Sequence, residues 1–357
     1  MKPLFIHHDT RPVRTSLECL MMQPGKVPPE ILQKLVFTHL GRPDPDLLLG
    51  PGIGQDASVI RIGESIIIAS TDPITGSIED IGWLALHINA NDIATFGVRP
   101  RWFLTSIMLP PGSGADEVGR IMEQIDEAAS ELDISVAGGH TEITEGLERP
   151  IIAGFMIGIV KDGRYITSEG ARPGDAILMT KTVAIEGTAI ICAEGGDYLK
   201  SHLGEELVNE GKDLRCQLSV VKDGLTAFST GHLTAMHDPT EGGLAGGVHE
   251  ICDASNVGFE IVEENLAFHK STIAVCDFLE IDPLQLISSG CMIMTCPSDT
   301  AETVLEALDA KGIQAAVIGR IVRDSSERNI RRPSGTQRLA RPETDALWKA
   351  LKKVKSV

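Results

Sequence analysis

Residues 50–60 read Gly50-Pro51-Gly52-Ile53-Gly54-Gln55-Asp56-Ala57-Ser58-Val59-Ile60, and they decide the fold of the first half of the chain. Gly52 and Gly54 make a loop whose backbone can approach a ligand closely. The run SVIRI follows, then Gly63-Glu64, then SIIIAS leading to Ser70-Thr71-Asp72. This spacing predicts a β-hairpin turning at Gly63-Glu64. Asp56 and Asp72 each lie eight residues from Glu64, so they face each other within one residue of register at the open end of the hairpin. Like charges directly opposed destabilise a ladder, which calls for a cation. Mg²⁺ takes oxygen ligands, usually one or two carboxylates with substrate phosphates. Two solvated loop carboxylates are the plainer reading; the pairing beside a glycine loop favours the metal.

The surrounding composition narrows the function. A chain of 357 residues accommodates about two domains. Hydrophobic content of 42%, charged content of 23% and 36 glycines describe a soluble globular protein rich in tight turns. Aromatics at 4% argue against a stacking surface for single-stranded nucleic acid. A net charge of −18 and a pI near 5.0 repel nucleic acid and anionic membranes, so any phosphate ligand must arrive with cations. The cysteines, at 19, 192, 216, 252, 276, 291 and 296, form no Cys-x-x-Cys pair and no zinc spacing. They read as reduced thiols of a cytoplasmic protein, with Cys291 and Cys296 as small core residues. The apolar run 151–160 is too short to span a membrane. Residues 1–24 lack periodicity and are expected to be a disordered extension, upstream of the functional start.

Along the chain, 30–40 reads as a helix. Residues 81–96, IGWLALHINANDIATF, form a strongly apolar helix carrying His87, Asn89, Asn91 and Asp92. That many polar groups on a buried helix must be satisfied. They are either a core network, or Asp92 joins the metal cluster and Asn91 contacts a phosphate or ribose. A strand at 102–109 precedes a capping box at Ser113 and Asp116, and a helical stripe of Val118, Ile121, Ile125, Ala128 and Leu132. A short strand at 134–137 should exit into Gly138-Gly139-His140-Thr141-Glu142, where the glycines turn N–H groups toward an anion. His140, Thr141 and Glu142 add a donor, a hydroxyl and a carboxylate. The strand 151–160 closes this half. Further on, 203–230 reads as helical, and His237-Asp238-Pro239-Thr240-Glu241-Gly242-Gly243 turns into a helix at 244–252. Asp238 and Glu241 at its mouth are helix caps or functional carboxylates. The tail after Asp324 is basic and expected to be loose, with Trp348 anchoring a short helix.

The ordered motifs GPGIGQDASVI, STD, NANDIATFGVRP, AGGHTE, GARPGDAILMTK and HDPTEGG resemble the aminoimidazole ribonucleotide (AIR) synthase superfamily. The hydrogenase-maturation HypE branch is the most similar. The resemblance spans about residues 25–325. It implies a two-domain α/β (α+β), PurM-like fold: a domain at 25–161 that dimerises by its sheet, an α/β domain at 162–325, and a basic tail at 326–357. It places ATP between the domains near the dimer interface, with Mg²⁺ on Asp56, Asp72 and Asp92. Gly52, Gly54, Asn91, Gly138, Gly139, Thr141 and Glu241 become nucleotide-binding candidates, with Glu142 a further metal candidate. Asp238 becomes a general base or substrate orienter.

The chain departs from the family in several places. His140 stands where relatives carry an acid after the glycine pair, and Gln55 where many carry a second acid. Lys181, Glu186 and Gly187 replace a glycine-histidine-glycine type loop at a strand exit suited to anions. Asp238, His140 and Lys181 are the catalytic candidates. No cysteine follows Cys296, whereas HypE proteins end in a cysteine that carries a carbamoyl group. The expectation is a Mg-ATP-dependent, homodimeric enzyme that phosphorylates a carbonyl or amide oxygen on a small-molecule or protein-borne substrate. The alternatives are an AIR-synthase-type cyclo-ligase or small-molecule kinase, and a nucleotide-binding maturation scaffold without chemistry.

Overall fold

Residues 24–75 and 79–355 are described here from a computed structural model. Apart from Pro24, the expected N-terminal extension lies outside them. The chain begins with α1 (Pro29–Ile31), which passes at once into a wide π-turn over Leu32–Val36. The expected helix over 30–40 is therefore short and irregular. Leu35, Val36 and Leu40 are exposed, so no core draws them into a regular amphipathic helix.

Strands β1 (Leu47–Leu49), β2 (Ser58–Ile62) and β3 (Ser65–Ile74) follow. Ile62 pairs with Ser65 around Gly63, whose φ of +61° suits the two-residue turn. Continuing the Ser58–Ala69 pairing outward sets Asp56 across from Thr71, one residue from Asp72. Then come α2 (Ile81–Ala94), β4 (Pro100–Leu109), α3 (Ala115–Leu132), β5 (Ser135–Ile143) and β6 (Ile151–Val160). The sheet order is β1-β2-β3-β6-β4-β5, antiparallel except where α3 carries the chain from β4 to the parallel β5. The capping box is absent: α3 is capped by Gly114 without a side-chain bond, because the helix starts beyond Ser113. Its stripe does face inward, with Ile121, Ile125 and Ala128 buried. The glycine pair does not end β5. It runs on through Ile143, since Gly138 to Glu142 pair with Leu104 to Met108 of β4, and the strand is exposed along its length.

The second half contains β7 (Asp175–Thr180), α4 (Ile185–Leu203), α5 (Glu205–Asp213), α6 (Val221–Ser229), β8 (Ala235–His237), α7 (Gly243–Ala254) and β9 (Gly258–Val262). It continues with α8 (Lys270–Leu279), β10 (Ile293–Pro297), α9 (Ala301–Asp309), β11 (Ala315–Val322), β12 (Arg328–Arg332), β13 (Gly335–Arg338) and α10 (Ala346–Lys355). Its sheet runs β13-β12-β9-β11-β7-β10-β8. The expected helix over 203–230 is broken by a 3-10 turn at Leu214–Gln217 and by the segment 218–220. There the Leu218 carbonyl and the Val220 N–H bond the Asn91 side chain.

The basic tail is not loose. Ile330 of β12 and Leu347, Ala350, Leu351 and Val354 of α10 are buried in the second core, with α10 lying on α4. Their helical spacing lies beneath lysines that dominate the composition of the segment.

Every residue of α2 is buried. The first sheet packs on one side of it, while Ile185, Ala189, Leu214, Leu218 and Val221 of the second half extend the same core. A helix covered on all sides reads as apolar throughout, and its few polar groups sit between the two halves.

Candidate active site

Four carboxylates from two elements and two loops converge where the halves meet. Asp56 leaves the glycine loop, Asp72 lies on β3, Asp92 on α2, and Asp238 follows β8. Asp238 is fully buried, and neither of its carboxylate oxygens has a hydrogen-bond partner among the described residues. Burial and the charge of Asp56 push it up to about 7, against the opposing pull of His237 and Lys26. Burial likewise raises Asp72 to about 6, with Lys26 opposing and Asp56 assisting. Asp92 stands well above its ordinary value because it is buried beside Asp72, Asp238 and Asp56.

Positive charge enters from two residues that sequence reading did not single out. His237 is buried, with Nδ1 2.9 Å from Asp56 Oδ2 and Nε2 2.9 Å from Glu250 Oε2. Burial disfavours its charged form, but the charge and hydrogen bond of Asp56, with those of Glu250, raise it to about 10. Glu250 moves the other way: burial opposes its charge, yet Lys26 and His237 bring it down to about 2. Among the described residues, Asp56, His237 and Asp238 offer ligand atoms all within 4.8 Å of one another. Both nitrogens of His237 are engaged by carboxylates, so it acts as a cationic clamp and leaves an all-oxygen donor set. That set, with an unpartnered buried carboxylate in it, fits Mg²⁺.

The backbone is shaped to hold these groups. Asn89 accepts from Asp72 N–H at 3.0 Å and donates to the Asp72 and Ala85 carbonyls at 3.2 and 2.8 Å. Its amide lies over Gly154, where a Cβ would stand 2.2 Å from Nδ2. Gly54 has φ +75° and packs on the second half, where a Cβ would meet the Glu250 carbonyl at 2.8 Å. Ser168 donates to the Gly54 carbonyl and, at 3.2 Å, to Gln55 Oε1. The glycine loop is thus docked against the second half. A cavity of about 530 Å³ opens beside it, lined by Phe37, Gly52, Ile53, Gln55, Asp253 and Arg341 among others.

Other expected site residues lie elsewhere. Asn91 is spent on backbone, donating to Leu218 O and accepting from Val220 N, each at 2.9 Å. Gly139 is in register with Asp72 across β4 and β6, three strand spacings or roughly 14 Å away. His140 and Glu142 pair with each other at 3.1 Å on exposed β5, apart from the compact cluster, and Gly138 and Thr141 are exposed with them. Lys181 pairs with Asp223 at 3.2 Å and donates to the Gln217 and Ser219 carbonyls, which ties down the segment before α6. The start of α4 is not free for an anion. Ala184, Glu186 and Gly187 N–H groups bond Ser288 Oγ, Ser289 O and Ile287 O. Glu186 is buried there and pushed up to about 8. Glu241, at the turn before α7, accepts from Lys26 N–H at 2.6 Å.

Two mixed sheets meeting over a buried acidic cluster define a two-domain, PurM-like protein. Residues 54–160 match the N-terminal domain and 172–330 the C-terminal domain of AIR synthase related proteins. The chain belongs to the AIR synthase-related family, within its HypE branch. It is 33% identical over 249 residues to the carbamoyl dehydratase HypE of Azotobacter vinelandii, covering 69% of this chain and 70% of that protein. A crystal structure of the hydrogenase maturation protein HypE in complex with ATP superposes with a TM-score of 0.67 at 24% identity, covering 91% and 98% of the two chains. HypE in a HypE–HypF complex matches with a TM-score of 0.68 at 24% identity, covering 81% and 94%.

Proposed function

We propose that this protein is a Mg-ATP-dependent enzyme that activates a carbonyl or amide oxygen by phosphorylation, as a dehydratase of the HypE type would. The observation that carries the reading is the unpartnered, buried Asp238 facing Asp56, Asp72 and Asp92. Asp56, Asp72 and Asp92 would hold the divalent ion, which supplies charge neutralisation on the phosphate oxygens. Asp238, poised at about 7, accepts the first amide N–H proton as the oxygen is phosphorylated, and the second N–H proton leaves with the departing hydrogen phosphate as the C–O bond breaks to give the nitrile. The His237 clamp orients Asp56 through its Nδ1 bond without occupying a coordination position. Gly52 and Gly54 would carry the nucleotide side of the site, with Glu241 at its mouth.

A homodimer fits this reading. The open face and free edge of the first sheet expose Phe155, Val136 and Ile143, apolar side chains that a second copy would cover. Gly138, Gly139, His140, Thr141 and Glu142 lie on that edge and would gain their role in nucleotide binding from the pairing. Since relatives are named carbamoyl dehydratases and one is complexed with HypF, the substrate class we favour is a carbamoyl-type amide, small or carried on a protein. We infer a positioning role for Lys181, through the 217–219 carbonyls it holds.

The test is ADP release by purified protein with Mg²⁺ and a panel of primary amides and carbamoylated thiols, with nitrile or thiocyanate followed by mass spectrometry. Turnover coupled to loss of water from one substrate supports the reading. Stable phosphorylation of an alcohol or phosphate would make it a kinase instead. Tight ATP binding with no turnover on any substrate would make it a scaffold.

A further inference from the structure

β10 lies between β7 and β8 and runs antiparallel to both, so β7 and β8 end where β10 begins. Three segments therefore meet at one end of the second sheet. Continuing the Ile293–His237 pairing one step sets Asp238 across from Met292. On the other side of β10 the chain leaves β7 at Thr180 and enters α4 through Ile185 and Glu186. Residues 286–290, which lead into β10, are wedged between α4 and the turn before α7. Glu186 and Gly187 N–H groups donate to the Ser289 and Ile287 carbonyls at 3.3 and 3.0 Å. Gly243 packs on the Leu286 carbonyl, and the Asp345 carboxylate joins Ile287 N–H to Gly242 N–H. In this wedge Glu186 is 4% exposed, Ser289 1% and Asp238 0%. Glu186 Oε2, Ser289 Oγ and both Asp238 carboxylate oxygens have no hydrogen-bond partner among the described residues. Ser289 lies close enough to the Glu186 carboxyl to favour its ionised form, but outside the geometry of a hydrogen bond. Buried polar atoms are nearly always satisfied, so these orphans at one end of one sheet call for a ligand.

We propose that Glu186 and Ser289 form the subsite that selects the amide group of the substrate, with Glu186 Oε2 accepting one N–H while Asp238 holds the other. The assignment rests on reading the site as one that activates an amide oxygen. Three of the four orphaned atoms are carboxyl oxygens, so the ligand must bring hydrogen-bond donors. An anion brings none. A phosphate or carboxylate here would face Glu186 and Asp238, and the N–H groups of Ala184, Glu186 and Gly187 are already spent on Ser288 Oγ, Ser289 O and Ile287 O. A primary amide brings two N–H donors on one nitrogen and leaves its oxygen free for phosphorylation. An ammonium brings donors too, but carries no oxygen to activate. Nothing in the fold compensates Glu186: the charges that act on it, Asp345, Asp238 and Glu241, are all negative. A buried carboxyl left in this state costs stability, which suits a group kept for binding.

Calorimetry on the full chain tests this, with Mg²⁺ and a non-hydrolysable ATP analogue present. The probes are S-carbamoyl-N-acetylcysteamine and its S-acetyl counterpart, which keeps the carbonyl and lacks the NH₂. Wild type should prefer the carbamoyl probe by about tenfold, the worth of a hydrogen bond to a buried acceptor otherwise left unpaired. Glu186→Met should erase that preference and Ser289→Ala should reduce it. Glu186→Gln, which keeps an acceptor oxygen in place, should retain most of it. Affinity for the ATP analogue should be unchanged in all three, and Glu186→Met should melt no lower than wild type, because an orphaned carboxyl has been removed. A carbamoyl preference that persists in Glu186→Met overturns the subsite while leaving the amide-activating reading standing. A wild type that does not distinguish the two probes, or that binds the ammonium of S-aminoethyl-N-acetylcysteamine more tightly, also overturns the subsite; turnover of an amide in the ADP-release assay then shows separately whether the reading survives. Should Glu186→Met fail to give a cooperative melt, Ser289→Ala decides: an undiminished carbamoyl preference there overturns the proposal.

Discussion

His237 Nδ1 lies 2.9 Å from Asp56 Oδ2, joining residues 181 positions apart in the chain and in opposite halves of the molecule. With Nε2 on Glu250, the imidazolium is a buried bridge between the glycine loop and α7. Removing it leaves two carboxylates without their cation.

His237→Ala should therefore destabilise the protein by about 3–5 kcal/mol, the usual result of breaking one side of a buried ion pair. The pH dependence has a definite sign. The folded pKa, about 10, lies above the ordinary 6.5, so the stabilisation is fully present below 6.5 and is lost as pH rises through 10. Thermal melts between pH 7 and 10 should fall more steeply in wild type than in His237→Gln. Parallel curves would show that the bridge is not charged.

Asp72→Asn should abolish Mg-dependent nucleotide binding in calorimetry, and unchanged affinity would remove Asp72 from the metal site. Asn89→Ala should weaken the same binding by about tenfold, in line with the effect of losing a residue that orients a metal ligand. Asn89 contacts Asp72 through backbone as well as through its place over Gly154, so part of this loss should appear as a lower melting temperature.

Mg²⁺ binding should release protons near neutrality. Asp72 at about 6 and Asp238 at about 7 lie above their ordinary 3.8, so both are partly protonated at pH 6 in the free protein. A carboxyl raised on folding costs stability as pH climbs from its ordinary value through its folded one, and a bound cation relieves that cost. The rise in melting temperature on adding Mg²⁺ should be larger at pH 8 than at pH 5.5. Calorimetry at pH 6.5 in buffers of different ionisation enthalpy would count the protons directly.

Gly54→Ala should cost about 1–3 kcal/mol, because a side chain is forced into positive φ and its Cβ meets the Glu250 carbonyl at 2.8 Å. The glycine that looks like a ligand-approach residue is also the contact that docks the loop on α7. A Gly54→Ala protein with wild-type stability would mean that the loop does not dock this way.

Asp345→Ala should destabilise the C-terminal segment, by about 2–4 kcal/mol, since buried N–H groups lose their acceptor. Its carboxylate accepts from Gly242, Leu347 and Ile287 N–H groups at 2.6, 2.7 and 3.2 Å. Faster proteolysis of residues beyond 339 in the variant would register the loss.

Local chemistry determined much of this protein from sequence. The hairpin at Gly63-Glu64, the near-opposition of Asp56 and Asp72, the buried α2 and the strand at 151–160 all follow from turn residues and from runs of one periodicity. These depend on neighbours a few residues away, which the sequence displays directly. Only the tertiary structure decided that His237 clamps Asp56, that Lys26 meets Thr240 and Glu241 from the far end of the chain, and that Asn91 ties down 218–220. It also decided that α10 belongs to the second core. Each of these rests on the docking of segments more than a hundred residues apart. A histidine, a lysine or an asparagine carries no mark in its own neighbourhood of which distant carboxylate or carbonyl will meet it.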